Sequence, residues 1–246
     1  MATSPFATRR LGGHVGWKMG WKGVFVERKT LCGPMFGVGM LRCEDCKSVS
    51  LKKHGVFAAE AEFGVVLKSS LEVRSSAYSE EEVWAAVGNV EICIELCGAR
   101  QMTSENRLMY VADALLSSAV LRGPVIGTGS DIDPEGLNSV GVSLSIGENL
   151  VSAGDSKNNP CDSVVGSLTA LANELCVERK VLGGLKEGAF VIAGHCCQVS
   201  FGGRPAPNLP PKDPAPKEWG EVTDWKGLVL RADFDGYGSV GCKINE

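Results

Sequence analysis

The amino-acid sequence predicts a single α+β domain that is mainly β, with a few helices flanking the sheet. About ten short β-prone runs, many of them bounded by glycine, stand against about three helical segments. The chain has 246 residues and 44% hydrophobic content, which is enough for one buried core. No repeat of fixed period is present. We therefore expect residues 1–246 to form one domain.

The first patterned segment, residues 12–23, is rich in glycine and places Trp17 and Trp21 on either side of Lys18. Glycine lets the backbone approach a ligand closely, and tryptophan shields a neighbouring ammonium group from water. Lys18 is therefore a candidate catalytic residue that binds a carboxylate or transfers a proton. A glycine-punctuated strand with an exposed lysine is the alternative.

Three glutamates lie inside otherwise apolar, β-prone runs. Glu60 and Glu62 share one face of an extended segment, and Glu95 lies in a second such segment, residues 92–100. Three carboxylates brought together suit Mg²⁺ or Mn²⁺ better than zinc. The alternative is a half-exposed sheet whose glutamates face solvent. The apolar neighbours of Glu95 favour burial, and a buried glutamate needs a partner.

Two helices are predicted in the middle of the chain. Ser79 and Glu82 have the spacing of a capping box before an apolar stretch. Between Glu105 and Leu121 apolar residues recur at helical spacing, and Asp113 falls among them. Residues 124–155 then read as strands and turns, with a hairpin turn at residues 147–149.

A third helix is predicted to begin at Asn159 and Pro160, with asparagine as the cap and proline at the first position. Its apolar face would comprise Val164, Leu168, Leu171 and Leu175.

The last part of the chain is predicted to form strands around an irregular insertion. Residues 189–193 are predicted to form a buried strand that ends at His195. This histidine is either an acid–base group or a core histidine whose ring nitrogens are hydrogen-bonded. Residues 203–217 hold six prolines and are expected to be a surface insertion. Strands at 228–232 and 239–244 close the chain.

Composition excludes several classes of partner. The net charge is −4 and the basic residues are dispersed, so no nucleic-acid or anionic-membrane surface is expected. No run is long enough for a membrane span, and no apolar signal core follows Met1, which favours a cytoplasmic protein. The first 26 residues contain Arg9 and Arg10 but no acid, so a mitochondrial presequence is the weaker alternative.

The ten cysteines are scattered and are expected to be reduced thiols. Cys43 and Cys46 form one C-x-x-C pair, and no second pair lies at the spacing of a zinc finger. The pattern therefore argues against a structural zinc site.

Seven short motifs occur in an order that resembles the 2-keto-4-pentenoate hydratases and the related 4-oxalocrotonate decarboxylases of the fumarylacetoacetate hydrolase superfamily. The resemblance covers residues from about 12 onwards. The motifs are G-x-K-x-G (Gly16, Lys18, Gly20), P-x-F-G (Pro34 to Gly37), E-x-E (Glu60, Glu62), I-E-x-x-x-x-R (Ile94, Glu95, Arg100), A-D-x-x-x-S (Ala112, Asp113, Ser117), L-x-x-L-A-N-x-L (Leu168 to Leu175) and L-x-x-G-x-x-x-I-x-G (Leu185 to Gly194).

The resemblance implies a rolled mixed β-sheet core of the fumarylacetoacetate hydrolase C-terminal type. It also implies Mg²⁺ or Mn²⁺ held by Glu60, Glu62 and Glu95, and substrate contacts from the three positions Arg100, Asp113 and Ser117. The implied reaction is that of a lyase on small 2-oxo or 2-hydroxydienoic acids, such as hydration of 2-hydroxypenta-2,4-dienoate to 4-hydroxy-2-oxopentanoate. A homo-oligomer is implied as well.

Several positions depart from the family pattern. The acid usual in P-D-F-G is Met35, which cannot move a proton, and His195 could replace it as the second candidate catalytic residue. The helical segment that usually precedes G-x-K-x-G is largely missing. A decarboxylase, a C–C hydrolase of acylpyruvate-like substrates and a catalytically degenerate binding homologue therefore stay open as alternatives.

Overall fold

The protein is described from a computed structural model, and the residues described are 13–20, 31–51, 55–98, 119–180, 183–201 and 225–245. These ranges contain twelve strands, two α-helices and three short 3₁₀ turns. None of their helices is long and apolar enough to cross a membrane.

The elements follow in chain order. The strands are β1 His14–Gly20, β2 Leu31–Phe36, β3 Met40–Arg42, β4 Ser48–Ser50, β5 Val56–Leu67, β6 Val87–Gly98, β7 Ala119–Thr128, β8 Gly141–Ile146, β9 Asn149–Asp155, β10 Phe190–Ser200, β11 Val229–Phe234 and β12 Gly238–Asn245. The helices are α1 Glu80–Ala85 and α2 Val164–Asn173, which a π turn Glu174–Glu178 extends. The 3₁₀ turns are Gly37–Gly39, Gly136–Ser139 and Ser156–Asn158.

The larger sheet has seven strands in the order β2-β1-β10-β5-β6-β7-β3, and the smaller has five in the order β4-β12-β11-β8-β9. Both are mixed, because β1–β10, β3–β7 and β4–β12 pair in parallel. Strands β2 and β3 are the two edges of the larger sheet, yet only Gly37–Gly39 joins them. Such a connection spans at most about 14 Å, so the sheet curls until its edges approach. The predicted rolled, mainly β fold is confirmed.

Side chains of β5 alternate between the two faces of this rolled sheet. Ala61, Phe63 and Val65 are fully buried in the main core, which faces the smaller sheet. The Phe63 ring meets the Phe234 ring of β11 edge to face, with centroids 5.1 Å apart. The opposite face therefore carries the glutamates of β5.

A second, smaller core lies on that opposite face. Its buried members come from β2, β6, β7 and β10: Met35, Cys93, Val120, Phe190 and Ile192. Cys93 pairs with Glu62, and Val120 pairs with Glu95. The glutamates are thus bordered by apolar side chains that exclude water.

The capping box of α1 is confirmed. The Ser79 hydroxyl accepts a hydrogen bond from the Glu82 N–H at 3.2 Å, and the Glu82 carboxylate accepts one from the Ser79 N–H at 2.9 Å. The hairpin turn after β8 is also confirmed, with Gly147 at a positive φ of 61°.

The predicted start of the third helix is wrong. Helix α2 begins at Val164, where the Ser163 hydroxyl accepts a hydrogen bond from the Gly166 N–H at 2.7 Å. The Asn159 amide instead donates to the carbonyl of Ser156 at 2.6 Å, which closes the preceding turn. Serine caps a helix as well as asparagine does, so both Asn159 and Ser163 fitted the sequence pattern of a helix N-cap. The predicted apolar face is confirmed, since all four of its members are buried.

Two further predictions need correction at their ends. Residues 119–121 were expected to finish a helix, but they begin β7, because they pair with β6. The late strand was expected to end at Gly194 and His195, but it continues through a bulge to Ser200. The rest of the helix predicted from residue 105 and the proline-rich segment 203–217 lie outside the described residues.

Candidate metal centre

Strand register brings the three glutamates together. Glu60 of β5 lies directly opposite Glu95 of β6. Glu62 is the next residue along β5 on the same face. Directly opposite residues in an antiparallel pair have Cβ atoms about 5 Å apart, so three carboxylates occupy one patch of the sheet.

Burial decides between the two interpretations of these glutamates. Glu62 is 1% exposed and Glu95 is 4% exposed, so the solvent-facing alternative is wrong for both. The Glu60 side chain is 21% exposed and marks the side from which a ligand can enter. Carboxylates this deep need compensating groups, because desolvation penalises their charged form.

Lys18 supplies one compensating charge. Its ammonium Nζ lies 2.7 Å from Glu95 Oε1, and the residue is 6% exposed, so the exposed-lysine alternative is wrong. Burial lowers the pKa of Lys18, but the carboxylates of Glu95 and Glu60 and the nearby Cys97 outweigh that effect, and the pKa ends above its usual value. Lys18 is therefore held as a cation.

A glycine sets the path of the strand that carries Lys18. Gly16 pairs with Phe190 of β10, and a Cβ on Gly16 would lie 1.7 Å from the Phe190 carbonyl oxygen. Only glycine allows the two backbones to approach this closely. The glycine that precedes Lys18 thus positions the ammonium beside Glu95.

A bulge in β10 positions a backbone N–H group to donate a hydrogen bond to Glu62. The Gly194 N–H donates a hydrogen bond to Glu62 Oε2 at 3.0 Å. Gly194 has a φ of +105°, and a Cβ there would lie 2.4 Å from Pro160 Cδ. The other carboxylate oxygen, Glu62 Oε1, is buried without a hydrogen-bond partner among the described residues. Such an atom requires a further partner.

The same bulge turns His195 towards the glutamates. His195 is the register partner of Glu62, and its Nδ1 lies 3.7 Å from Glu60 Oε1. Its side chain is 20% exposed. An imidazole between buried carboxylates and solvent is placed to carry protons in and out of the patch.

The electrostatics of the patch favour a divalent cation. Burial raises the pKa of Glu60, and the Glu95 carboxylate raises it further. Burial and the carboxylates of Glu95 and Glu60 raise the pKa of Glu62 well above its usual value. If all three carboxylates were ionised, they and the Lys18 ammonium would carry a net charge of −2, which a bound Mg²⁺ or Mn²⁺ would balance and so favour their ionised form.

The geometry fits a metal ion, although the cluster differs from the predicted one. Ligand atoms of Glu60, Glu95 and Cys97 all lie within 4.8 Å of one another. Cys97 was not expected there, whereas Glu62 was expected but is not a member of this group. Its buried Oε1 has no hydrogen-bond partner among the described residues. Carboxylate oxygens in this number suit a hard divalent cation. Cys97 could have been identified from the sequence, because it follows Glu95 by two residues and so lies on the same face of an extended strand.

Three predicted site residues, Arg100, Asp113 and Ser117, lie outside the described residues. Met35, which replaces the family's acid, is 3% exposed and belongs to the second core. It therefore adds an apolar side chain, and no proton carrier, to this face.

A buried ion pair on the same face was missed by the sequence analysis. Arg122 Nε donates to Glu91 Oε2 at 2.7 Å, and Arg42 lies 3.6 Å from the other oxygen. The Arg122 guanidinium also sits 4.0 Å from the centroid of the Phe190 ring. The sequence did contain a sign of this pair, because Glu91, like Glu95, is a glutamate inside the apolar run of β6.

No disulfide joins any of the ten cysteines in this structure. Within the described ranges, Cys43 and Cys46 belong to no group of three residues with metal-binding geometry.

Comparison with known sequences gives no match, either to a family model or to a curated protein. Comparison with solved structures gives strong similarity. A 4-oxalocrotonate decarboxylase from Pseudomonas putida G7, complexed with magnesium and adipate, has a TM-score of 0.73 and 21% identity. The alignment covers 97% of this chain and 81% of that one.

Two hydrolases share the same architecture. A fumarylpyruvate hydrolase from Pseudomonas aeruginosa, in complex with Mn²⁺ and pyruvate, has a TM-score of 0.61 and 13% identity, over 94% of this chain and 89% of that one. A fumarylacetoacetate hydrolase from Exiguobacterium antarcticum has a TM-score of 0.60 and 15% identity, over 94% of this chain and 75% of that one. The chain therefore has the fold of the fumarylacetoacetate hydrolase superfamily.

Proposed function

We propose that this chain is a divalent-metal-dependent lyase that acts on small 2-oxo or 2-hydroxydienoic acids. The observation that carries the proposal is the patch of Glu60, Glu62 and Glu95 inside the sheet, with the Lys18 ammonium 2.7 Å from Glu95. Structural neighbours with bound magnesium or manganese support the metal. Glu60, Glu62 and Glu95 would hold Mg²⁺ or Mn²⁺.

A bound Mg²⁺ or Mn²⁺ would supply Lewis-acid stabilisation of negative charge that develops on the 2-oxygen of the substrate. Lys18 would bind the substrate carboxylate, because its ammonium is held charged at the edge of the glutamate patch. His195 would move a proton to or from the carbon chain, since its imidazole reaches both Glu60 and solvent. The second core, which includes Met35 and Phe190, would keep water away from one side of the substrate.

Hydration is the first candidate reaction, in which water adds to 2-hydroxypenta-2,4-dienoate to give 4-hydroxy-2-oxopentanoate. It requires a group that holds the water and exchanges a proton with it. His195 is placed to do so, because its imidazole lies beside Glu60 and is partly exposed to solvent.

Decarboxylation is the second candidate, and two observations favour it. The similarity to the 4-oxalocrotonate decarboxylase has a TM-score of 0.73, against about 0.6 for the hydrolases. Met35 also places an apolar side chain where the hydratases resembled here carry an acid. Loss of CO₂ leaves electrons on the remaining fragment, which the same Lewis-acid stabilisation would accept.

An assay with purified, Mn²⁺-loaded protein separates the candidates. Loss of the ultraviolet absorbance of 2-hydroxypenta-2,4-dienoate indicates hydration, CO₂ release from 4-oxalocrotonate indicates decarboxylation, and pyruvate from an acylpyruvate indicates a C–C hydrolase. H195Q should slow turnover, whereas H14Q, at an exposed position, should not. Metal binding without turnover on any of the three substrates would overturn the lyase and favour a binding homologue.

The assembly and location of the protein are part of the same proposal. We propose a cytoplasmic homo-oligomer, in line with the resemblance to the hydratases. Light scattering on the purified protein tests the assembly directly, and a monomeric mass contradicts it.

A further inference from the structure

One residue of the glutamate patch has a chemistry that the proposed reaction does not use. Cys97 follows Glu95 by two residues on β6, so both side chains lie on the same face. Its sulfur, a Glu60 oxygen and a Glu95 oxygen lie within 4.8 Å of one another. The Cys97 thiol hydrogen-bonds to the Glu60 carboxylate. The sulfur therefore points at the carboxylates and not into the core.

The other cysteine on this face of β6 is oriented differently. Cys93 donates its thiol hydrogen to the backbone carbonyl of Glu62 at 3.3 Å, and it belongs to the second core. Cys97 and Glu60 are both partly exposed, whereas Cys93 is fully buried. A metal ion can thus reach the Cys97 sulfur from the open side of the patch.

A second observation points independently to a ligand at this position. Glu62 Oε1 is buried, has no hydrogen-bond partner among the described residues and belongs to the same patch. The Lys18 ammonium lies beside Glu95 and interacts electrostatically with Cys97 as well. Burial and the carboxylates of Glu60 and Glu95 keep the pKa of the Cys97 thiol well above its usual value, and Lys18 only partly offsets them. The thiolate that a metal ligand requires would therefore form only when the cation itself binds.

We infer that Cys97 is a fourth metal-facing residue of this site, and that it makes the site favour thiophilic divalent cations such as Zn²⁺, Co²⁺ or Cd²⁺ more than an all-oxygen site would. The inference rests on the proposed function, because it assumes that Glu60, Glu62 and Glu95 bind a metal. On binding, the S–H bond breaks, a sulfur–metal bond forms and the proton passes to the buffer. Soft sulfur ligands favour thiophilic ions, whereas Mg²⁺ prefers oxygen.

Cadmium is a suitable probe, because a thiolate bound to it absorbs in the ultraviolet by charge transfer. We expect Cd²⁺ to produce this band in the wild type, excess Mn²⁺ to suppress it, and C97S to lack it. The C43S/C46S variant, which removes the C-x-x-C pair, should keep the band. C97S should bind Cd²⁺ about 10- to 100-fold more weakly, the loss typical of a removed metal-site partner, and should still bind Mn²⁺ in calorimetry.

Each other outcome has a distinct meaning. Cd²⁺ binding without a charge-transfer band, or with a band that C97S retains, overturns the role of Cys97 and leaves the proposed function intact. Failure of both Cd²⁺ and Mn²⁺ to bind overturns the proposed function as well. C97D provides a second variant in case C97S does not fold, since its carboxylate should retain Mn²⁺ binding and lose the band.

Discussion

Lys18 Nζ and Glu95 Oε1 lie 2.7 Å apart in an interior where both residues are less than a tenth exposed. The two residues are 77 positions apart in the sequence and come from strands separated by two others in the sheet. Their contact therefore joins strands from the two sides of the candidate metal centre. It makes the stability of the protein depend on how the charge of Glu95 is compensated.

The first prediction concerns this pair. K18M leaves Glu95 buried without its cation, and removal of one partner of a buried pair costs about 3–5 kcal/mol of unfolding free energy. A bound divalent cation compensates Glu95, so Mn²⁺ should stabilise K18M more than it stabilises the wild type. Urea denaturation in EDTA and in MnCl₂ measures the difference.

The matched control for K18M is K186M, which breaks an exposed pair with Glu72. Exposed pairs contribute at most about 1 kcal/mol, and no Mn²⁺ effect is expected at this position. Equal losses for K18M in EDTA and in Mn²⁺ would show that the metal does not interact with Glu95.

The bulge at Gly194 gives the second prediction. In G194A the new methyl group meets Pro160 and the residue keeps a positive φ, so the Gly194 N–H shifts away from Glu62. We expect a loss of about 1–3 kcal/mol in stability and weaker Mn²⁺ binding. Denaturation and calorimetry report the two effects separately.

G188A isolates the contribution of the backbone conformation. Gly188 also has a positive φ, but a Cβ there meets nothing within 4 Å. The substitution should cost about 1–2 kcal/mol for the left-handed conformation and leave Mn²⁺ affinity unchanged. A G194A protein that binds Mn²⁺ like G188A contradicts the role of the bulge.

The sequence predicted the convergence of the glutamates but not the details around them. The local sequence shows the alternation of side chains along β5 and the apolar neighbours of Glu95. The shared face of Glu60 and Glu62 and the burial of Glu95 could therefore be predicted. The contact of Gly194 with Glu62 depends on a bulge, which changes the strand register by a residue and has no reliable local signature.

The partners of buried charges were not predictable for a similar reason. Arg122 meets Glu91 because β6 and β7 pair in a particular register. An arginine in a strand is usually exposed, so sequence alone did not mark Arg122 as buried. Likewise, Ser163 and Asn159 are both good caps, and tertiary packing selected Ser163.

The third prediction is a pH dependence of stability. Burial and the neighbouring carboxylates raise the pKa of Glu62 well above its ordinary value of 4.5. A raised folded-state pKa contributes stability that is present below the unfolded value and is lost as pH rises towards the folded one. In EDTA, E62Q should therefore match the wild type below about pH 4.5 and become progressively more stable than it above that pH. Thermal unfolding between pH 4 and pH 8 tests this.

E82Q is expected to show the opposite sign. The side-chain hydrogen bonds from Arg74, and then the backbone of Ser79, lower the pKa of Glu82 to about 2. Its stabilising effect is present above the unfolded pKa of 4.5 and is lost as pH falls towards 2. E82Q should be less stable than the wild type above pH 4.5. Parallel pH profiles for E62Q and E82Q contradict the assigned causes.

The fourth prediction concerns the Glu91–Arg122 pair. E91A leaves Arg122 without its buried partner, so stability should fall by about 3–5 kcal/mol. The pair lies beside the second core and not in the metal cluster, so Mn²⁺ affinity of the folded protein should stay near that of the wild type. The double variant E91A/R122M should regain part of the lost stability. A large loss of metal affinity in E91A would place Glu91 in the metal site.

The position of a bound metal ion tests the central claim most directly. Anomalous diffraction from crystals soaked in MnCl₂ should show one Mn²⁺ peak per chain, within bonding distance of the carboxylates of Glu60, Glu62 and Glu95. The peak should disappear in E95Q and persist in E91A. The account is contradicted if no peak forms at these carboxylates, or if the peak at this position survives in E95Q unchanged.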